Sequence, residues 1–522
     1  MDPLSKAGLT PEDLDIEPTE YDIRTMHAFT PQEGRYARYT EPLRHITSEF
    51  EWVRRRLALE SEYLIGLGDE FQNYGGPRKR LIEHPFSDNQ RKALRELYTG
   101  FSELDFVRFK RIEKETDHDV VAMTILALYN MGDIFDPDLM ERAMHIGRTS
   151  ADMDSNVFSL MVRDIMKEYY VPLIAGLQNL FIRKAEEWHK VPKGYPRPFT
   201  VIAAQTHEQN AVPTPLKKVV ANIASALDQE ISKLVVSGES GYLPFRLYGK
   251  MGGAVGNDSA MIAAYPGHDW QSFYRRLIEG VELEYQPACD QDESNMRFLE
   301  LVDIIKRANL PLLKWADDYS SYLSRKILKK KTKKQDRGSS IMPQKVNPWR
   351  TEGGETSITL ADAELEVFDL LAKQRKQGDL RRNFLKRYFP VPMSNIGIAI
   401  GRIYEDLERT YPNFDGIDKE LLENPAIASA SMQTILRASG VPGAYDMIVE
   451  KTKGKTVTPE VMEETVGELV GGGVIDTEAG EDIRNIFIHE RNTGNALERA
   501  DNQLKEAEKT LDRLANAYEI SL

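Results

Sequence analysis

Leu216-Lys217-Lys218-Val219-Val220-Ala221-Asn222-Ile223-Ala224-Ser225-Ala226-Leu227-Asp228-Gln229-Glu230-Ile231-Ser232-Lys233-Leu234 follows Pro215 and decides the fold. Apolar residues fall at Leu216, Val220, Ile223, Leu227, Ile231 and Leu234. Spacings of three and four put them in one stripe on one face of a helix, with Lys, Glu and Gln on the other face. Residues 157–184 read in the same way, with Pro172 expected to kink or break the helix. Residues 358–371 and 497–517 are further helices by the same pattern. Alternating strand patterns are rare. The expectation is an all-α chain built on long central helices. Such helices bury their apolar faces against one another, within one chain or between chains, and periodicity leaves that choice open. Punctuated stretches at 131–137 and 411–418 suggest three helical domains: an N-terminal domain 1–140, a central long-helix bundle 141–415, and a C-terminal domain 416–522.

Composition narrows the functional classes. The 522 residues suffice for two to four domains, at roughly 150 residues each. Apolar residues make up 41% and charged residues 29%, as in soluble globular proteins. No apolar run reaches the ~18 residues of a membrane-spanning helix. Residues 1–20 are acidic and lack the basic-then-apolar pattern of an export signal. Cys289 is the only cysteine, which excludes an intrachain disulfide. A cytoplasmic location is the expectation. The net charge of −14 argues against nucleic acid as partner, yet permits a small anionic substrate in a local basic pocket. The nine histidines show no metal-ligand spacing, and neither a Walker loop nor a strand-flanked Gly-x-Gly-x-x-Gly occurs. The lysine run 329–334 reads as a solvated turn, or as a steering patch for an anionic substrate.

A loop of unusual order lies at Gly338-Ser339-Ser340-Ile341-Met342-Pro343-Gln344-Lys345-Val346-Asn347-Pro348. Gly338 frees the backbone, two serines supply hydroxyls, and Pro343 and Pro348 restrict the path. Lys345 and Asn347 add a cation and an amide. Hydroxyl oxygens beside a fixed positive charge suit chemistry on a carboxylate-bearing substrate. The loop resembles the signature loop of the fumarase/aspartase superfamily, whose members eliminate fumarate from succinyl-bearing substrates.

Other segments choose within that superfamily. Gln205-Thr206-His207-Glu208-Gln209-Asn210 resembles the Thr-His-x-Gln motif of adenylosuccinate lyases, although that pattern has Gly where Glu208 stands and Pro where Asn210 stands. A capping or core histidine is the competing reading. Imidazole titrates at ~6.5 in water, so it can protonate a leaving nitrogen near neutrality. Thr116-Asp117-His118-Asp119-Val120 resembles the Thr-x-His-Asp-Val segment of the same family, against an ordinary helix start with early acids. Thr149-Ser150-Ala151-Asp152 resembles its Thr-Ser-x-Asp segment, with helix capping as a reading that can coexist. Arg35-Tyr36, in Thr30-Pro31-Gln32-Glu33-Gly34-Arg35-Tyr36, resembles its phosphate-contacting Arg-Tyr pair. Gly249-Lys250-Met251-Gly252-Gly253-Ala254-Val255-Gly256-Asn257 matches a Gly-rich family segment that permits close backbone approach. Gln291 stands where a substrate-binding Gln is expected. Segments 433–437 and 452–455 extend the resemblance toward the C-terminus. Two departures stand out. Gly353 replaces a frequent Asn after Glu352, and residues 379–395 differ from the family's Arg-Asp-Leu-Thr-Asp-Ser…Arg-Asn stretch, with Arg382 or Arg387 as substitutes for its phosphate contact.

The resemblance implies an adenylosuccinate lyase. Such an enzyme releases fumarate from adenylosuccinate and from the succinyl-carboxamide ribotide of purine synthesis. It implies Ser339 as base, His207 as acid oriented by Glu352, and Lys345 as the cation that stabilises charge. It implies substrate contacts from Arg35, Tyr36, His118, Asp119, Thr149, Ser150, Gln291 and Asn347. No metal or organic cofactor is expected. The implied partners are a small nucleotide substrate and three further copies in a homotetramer with shared active sites, with neither nucleic acid nor membrane. The alternatives are another fumarate-releasing lyase with a different succinyl substrate, and a non-catalytic homologue.

Overall fold

The computed structural model describes residues 19–239, 241–332, 341–342, 345–372, 377–378, 380–381, 383–453 and 458–522, together with residues 10, 14 and 17. Helices dominate. The scaffold consists of Glu49–Glu70, Ser150–Ile165, Val171–His189, Leu216–Ile231, Met296–Ser324, Trp349–Glu366, Pro390–Glu408 and Ala496–Tyr518. Met296–Ser324, at 29 residues, extends about 44 Å at 1.5 Å per residue. Leu216–Ile231 packs against Val171–His189, Met296–Ser324 and Ala496–Tyr518, while Trp349–Glu366 lies along Pro390–Glu408 and Met296–Ser324.

The apolar stripe of 216–234 is the buried face of Leu216–Ile231. Leu216, Val220, Ile223, Leu227, Ile231 and Leu234 are all buried, with Leu234 closing a short 3-10 turn after the helix. Pro172 neither breaks nor ends its helix. A π-helical turn, Met166–Tyr170, joins Ser150–Ile165 to Val171–His189, and Pro172 sits in the first turn of the second piece. In a regular α-helix Pro172 would lack its bond to Glu168 and collide with that carbonyl; widening the ladder by one residue relieves both problems. The helix expected at 358–371 starts earlier, at Trp349, and gives way to the short Asp369–Ala372.

Four two-stranded sheets interrupt the helices among the described residues. One matters for the site: the antiparallel hairpin Val201–Thr206 and Gln209–Pro215, with Thr206 opposite Gln209. Its two turn residues, His207 at φ 52° and Glu208 at φ 59°, are both left-handed. Two-residue hairpins demand that geometry, because the mirror-image turn matches the twist of the strands.

The apolar core is one continuous cluster reaching from Leu43 to Tyr518. A second, smaller cluster holds Met432, Leu436, Val466 and Ile483 in the C-terminal segment. The last helix, Ala496–Tyr518, returns from that segment to the main core through Ala500, Leu504, Leu511 and Leu514.

Candidate active site

The N-terminus of Ser150–Ile165 is the best-formed part of the site. Thr149 caps the helix, and its backbone N–H donates to Asp152 at 3.0 Å. The Gln291 amide donates to the Thr149 hydroxyl oxygen at 3.0 Å, so two residues singled out from sequence meet directly. Ser150 is the first residue of the same helix. Beneath them lies a fully buried pair, Lys250 and Asp152, at 2.7 Å. The Lys250 ammonium also donates to the Gln291 carbonyl at 2.6 Å, and the Gly252 and Gly253 amides donate to Asp152 at 3.0 and 3.1 Å. The Gly-rich segment therefore serves as a cradle for Asp152 and as a tether for Gln291. Gly256 lies at φ 71°, and a Cβ there would fall 1.9 Å from the Cys289 carbonyl oxygen, so only glycine lets the two chains pass.

One signal for this arrangement went unread. Asp152, Ser155, Asn156 and Ser159 recur at helical spacing and all point into the core. Asn156 exchanges two hydrogen bonds with the Lys250 backbone, at 2.8 and 2.9 Å. Ser159 donates to the Tyr248 carbonyl. A polar stripe where an apolar one belongs marks a helix that holds other chain segments in place, because buried polar groups must be paired.

His118 and Asp119 start the helix Asp119–Asn130. Asp117 ends the preceding helix in the left-handed region, and the His118 imidazole Nδ1 accepts the Val121 N–H at 3.4 Å. The Asp119 carboxylate lies 2.8 Å from both Arg56 and Arg387. Burial alone would push this carboxyl up; the two guanidinium groups outweigh burial and hold it at about 2. Arg387, one of the two residues offered for the missing phosphate contact, is thus tied to Asp119, and it stacks over Trp52 at 5.4 Å. Arg382 lies outside the described residues. Next to Arg387, the buried Lys386 ammonium meets both Asp292 oxygens at 2.7 Å, and Ser155 donates to the same carboxylate. Trp52, Asp154, Ser155, Asn383, Phe384, Lys386 and Arg387 line a cavity of about 260 Å³. Residues 118–119, 149–150, 291–293 and 386–387 therefore gather around one end of Ser150–Ile165.

Arg35 and Tyr36 form a second group. Thr30 caps the helix Pro31–Arg35 by accepting from the Glu33 N–H, and Tyr36 ends it. The Tyr36 ring has the Arg402 guanidinium 4.9 Å and the Arg35 guanidinium 6.0 Å from its centre. Burial would raise the Tyr36 phenol, but these two cations bring it below its ordinary value. Arg402 donates to the Trp349 and Arg350 carbonyls at 2.6 and 2.9 Å, which places Tyr36 beside the start of Trp349–Glu366. Glu352 is exposed in the first turn of that helix. Its neighbour Thr351 is buried and donates twice to Asp406, which also pairs with Lys330. Asp406 thus holds the chain both before and after the signature loop. Lys345 is exposed and Asn347 half-buried; Ser339 lies outside the described residues.

His207 shares no hydrogen bond or ion pair with either group among the described residues. It is exposed at the tip of the hairpin, whose strands lean on Phe414–Glu423, Pro425–Ala428 and His489–Asn492. The Arg325 guanidinium anchors the hairpin by donating to the Ala203 carbonyl at 2.7 Å while pairing with Glu420. Among the described residues of one chain, His207 and Glu352 share no hydrogen bond or ion pair.

Comparisons with known proteins identify the family. A family model described as "Lyase" matches residues 72–359, and one described as "Adenylosuccinate lyase C-terminal" matches residues 374–491. The chain is 28% identical over 448 residues to the adenylosuccinate lyase of Haemophilus influenzae, covering 86% of this chain and 93% of that one. Identity to the adenylosuccinate lyase of Escherichia coli K12 is 28% over 454 residues, with the same coverage. For that of Dictyostelium discoideum it is 28% over 442 residues, covering 83% and 90%. Among solved structures, the fumarate lyase from Mesorhizobium sp. BNC1 superposes with a TM-score of 0.65 at 15% identity, over 89% of this chain and 97% of that one. The 3-carboxy-cis,cis-muconate lactonizing enzyme from Pseudomonas putida gives 0.67 at 16%, over 92% and 99%. At such identities the structures establish the fold alone. The chain therefore belongs to the lyase family of the fumarase/aspartase superfamily, in its adenylosuccinate lyase branch.

Proposed function

We propose that this chain is a fumarate-releasing lyase that splits adenylosuccinate into AMP and fumarate, and the succinyl-carboxamide ribotide of purine synthesis in the same way. The observation that carries this reading is the meeting of Gln291 with Thr149 at the N-terminus of Ser150–Ile165. The Gln291 amide occupies the lone-pair side of the Thr149 hydroxyl, which leaves the hydroxyl proton to donate. A hydroxyl donor at a helix N-terminus is a site for a carboxylate, since the helix dipole and the first N–H groups favour negative charge there. A succinyl group supplies that carboxylate.

In this reading Ser339 removes the proton from the carbon next to the succinyl carboxylate. The electron pair left behind forms the C=C bond of fumarate as the C–N bond breaks. Lys345 and Asn347 stabilise negative charge building on the carboxylate. His207, oriented by Glu352, returns a proton to the departing nitrogen. Serine is a weak base, so its alkoxide needs the Lys345 cation nearby. Arg35 and Tyr36 take the phosphate, and His118, beside the fixed Asp119 carboxylate, takes the base or ribose. The lack of any hydrogen bond or ion pair between His207 and Glu352 within one chain, among the described residues, supports a site assembled from several copies; that assembly is, in this reading, a cytoplasmic homotetramer.

The test is fumarate release from adenylosuccinate by the purified chain, with Ser339→Ala and His207→Ala alongside and argininosuccinate as control substrate. Wild type releases fumarate from adenylosuccinate alone, and each variant falls by about 10²–10⁴-fold, the usual loss for a proton-transfer group. Absence of release by wild type overturns the reading.

A further inference from the structure

Gly353 and Gly354 stand in the first turns of Trp349–Glu366, where each glycine costs about 1 kcal/mol relative to alanine. The structure gives a reason for the first. A Cβ on Gly353 would lie 2.1 Å from Arg402 Nη2 and 2.4 Å from Arg402 Cζ. The guanidinium of Arg402, which is buried, fills the space a side chain at 353 would take. From there it reaches the Trp349 and Arg350 carbonyls, stacks on the Trp349 ring at 5.2 Å, and stands 4.9 Å from the centre of the Tyr36 ring. Around it, Arg350 donates to Glu405 at 2.9 Å, and the Tyr39 hydroxyl donates to the same carboxylate at 2.8 Å. One planar cation therefore joins three things: the start of the helix that carries Glu352, the empty side of Gly353, and the aromatic face of Tyr36. Lysine has no fork with which to make these contacts together.

We propose that Arg402 is a positioning residue for the phosphate end of the active site, seated by Gly353 and holding Tyr36 against the Trp349–Arg350 backbone so that Arg35 and Tyr36 meet the nucleotide phosphate together. This rests on the function proposed above. It assigns the Gly353 departure a purpose: the missing side chain makes room for a cation.

The experiment is a double-mutant cycle of Gly353→Ala and Arg402→Ala, with Arg402→Lys as the conservative variant. Each protein is assayed for KM and kcat with adenylosuccinate, and for AMP and adenosine affinity by calorimetry. Arg402→Ala is expected to raise KM and weaken AMP about tenfold or more, the loss of one hydrogen bond to the charged phosphate when Tyr36 is no longer held, with kcat and adenosine affinity changing far less. Arg402→Lys recovers only part of this. Gly353→Ala reproduces the defect in the native background, because its Cβ evicts the guanidinium, and adds nothing in the Arg402→Ala background. Equal weakening of AMP and adenosine, or additive effects of the two substitutions, overturns the proposal. Should Arg402→Ala fail to fold, Gly353→Ala and Arg402→Lys give the same comparison. Wild-type turnover with unaltered variants sinks the role of Arg402 alone, whereas wild type without turnover sinks the function on which it rests.

Discussion

Glu293, buried beside Asp292 and Lys386, carries a strongly displaced carboxyl near the site. Burial raises it, and the Asp292 charge adds to that effect against the pull of Lys386, so that it stands at about 7 in place of its ordinary 4.5. A carboxyl that holds its proton more tightly in the folded chain favours folding fully below 4.5, and that contribution is lost as pH rises toward about 7. Glu293→Gln keeps an oxygen to accept the Asn295 N–H but has no charge to bury. We expect its stability to change less than that of wild type across this window and to exceed wild type above it. Urea midpoints on either side of the window check this, and a variant less stable than wild type at the alkaline end contradicts it. Lys386 and Asp292 behave differently from Glu293 because they satisfy each other. Removing one would leave the other charged, buried and alone, the costly case.

At the scale of single elements, the hairpin that carries His207 holds a local conflict. Both turn positions are left-handed, yet they are filled by His207 and Glu208. A residue with a Cβ pays roughly 1–2 kcal/mol in that region, and two-residue hairpin turns favour glycine at the second position. Glu208→Gly is expected to stabilise the chain by about 0.5–1 kcal/mol, the left-handed strain relieved less the extra unfolded-state freedom of glycine. A lower urea midpoint in the variant would show that the Glu208 side chain itself matters to the fold. The helix Ser150–Ile165 displays the opposite relation between sequence and strain. Its buried polar stripe looks unfavourable residue by residue, but each member has a partner across the packing, so the element gains rigidity at the place where Thr149 is presented.

Taken as a whole, one copy of the chain gathers the residues around Thr149 and those around Tyr36, while the His207 hairpin packs on Phe414–Glu423, Pro425–Ala428 and His489–Asn492. Under the proposed shared-site assembly, two inactive variants complement each other. Mixing His207→Ala with Glu352→Gln, after dissociation and reassembly together, is expected to restore part of the fumarate release, because some sites then draw an intact His207 and an intact Glu352 from different copies. Activity no greater than the sum of the separate variants would place both residues of a site in one chain. The exposed apolar side chains on the long bundle helices, Leu310 and Leu360 among them, are compatible with such an assembly.

Helical periodicity and local motifs are properties of neighbours along the chain, and these the amino-acid sequence determined by itself. The apolar stripe of 216–234 named its helix face, Thr149-Ser150 announced a cap at one residue or the other, and the loop at 338–348 with its companion segments pointed to the lyase family. The hairpin at 201–215 escaped the reading because its prolines and polar residues hide the alternation. The accommodation of Pro172 escaped because a π-helical turn has no sequence sign. The partners of Arg402, Arg56 and Lys386 were beyond reach for a more general reason. Each pairs with groups far along the chain, and a buried charge is tolerable only where folding brings its counterpart within a few ångströms. Gly353 makes the point in one residue. In sequence it was a missing side chain; only the packing of two helices revealed that Arg402 needs the space.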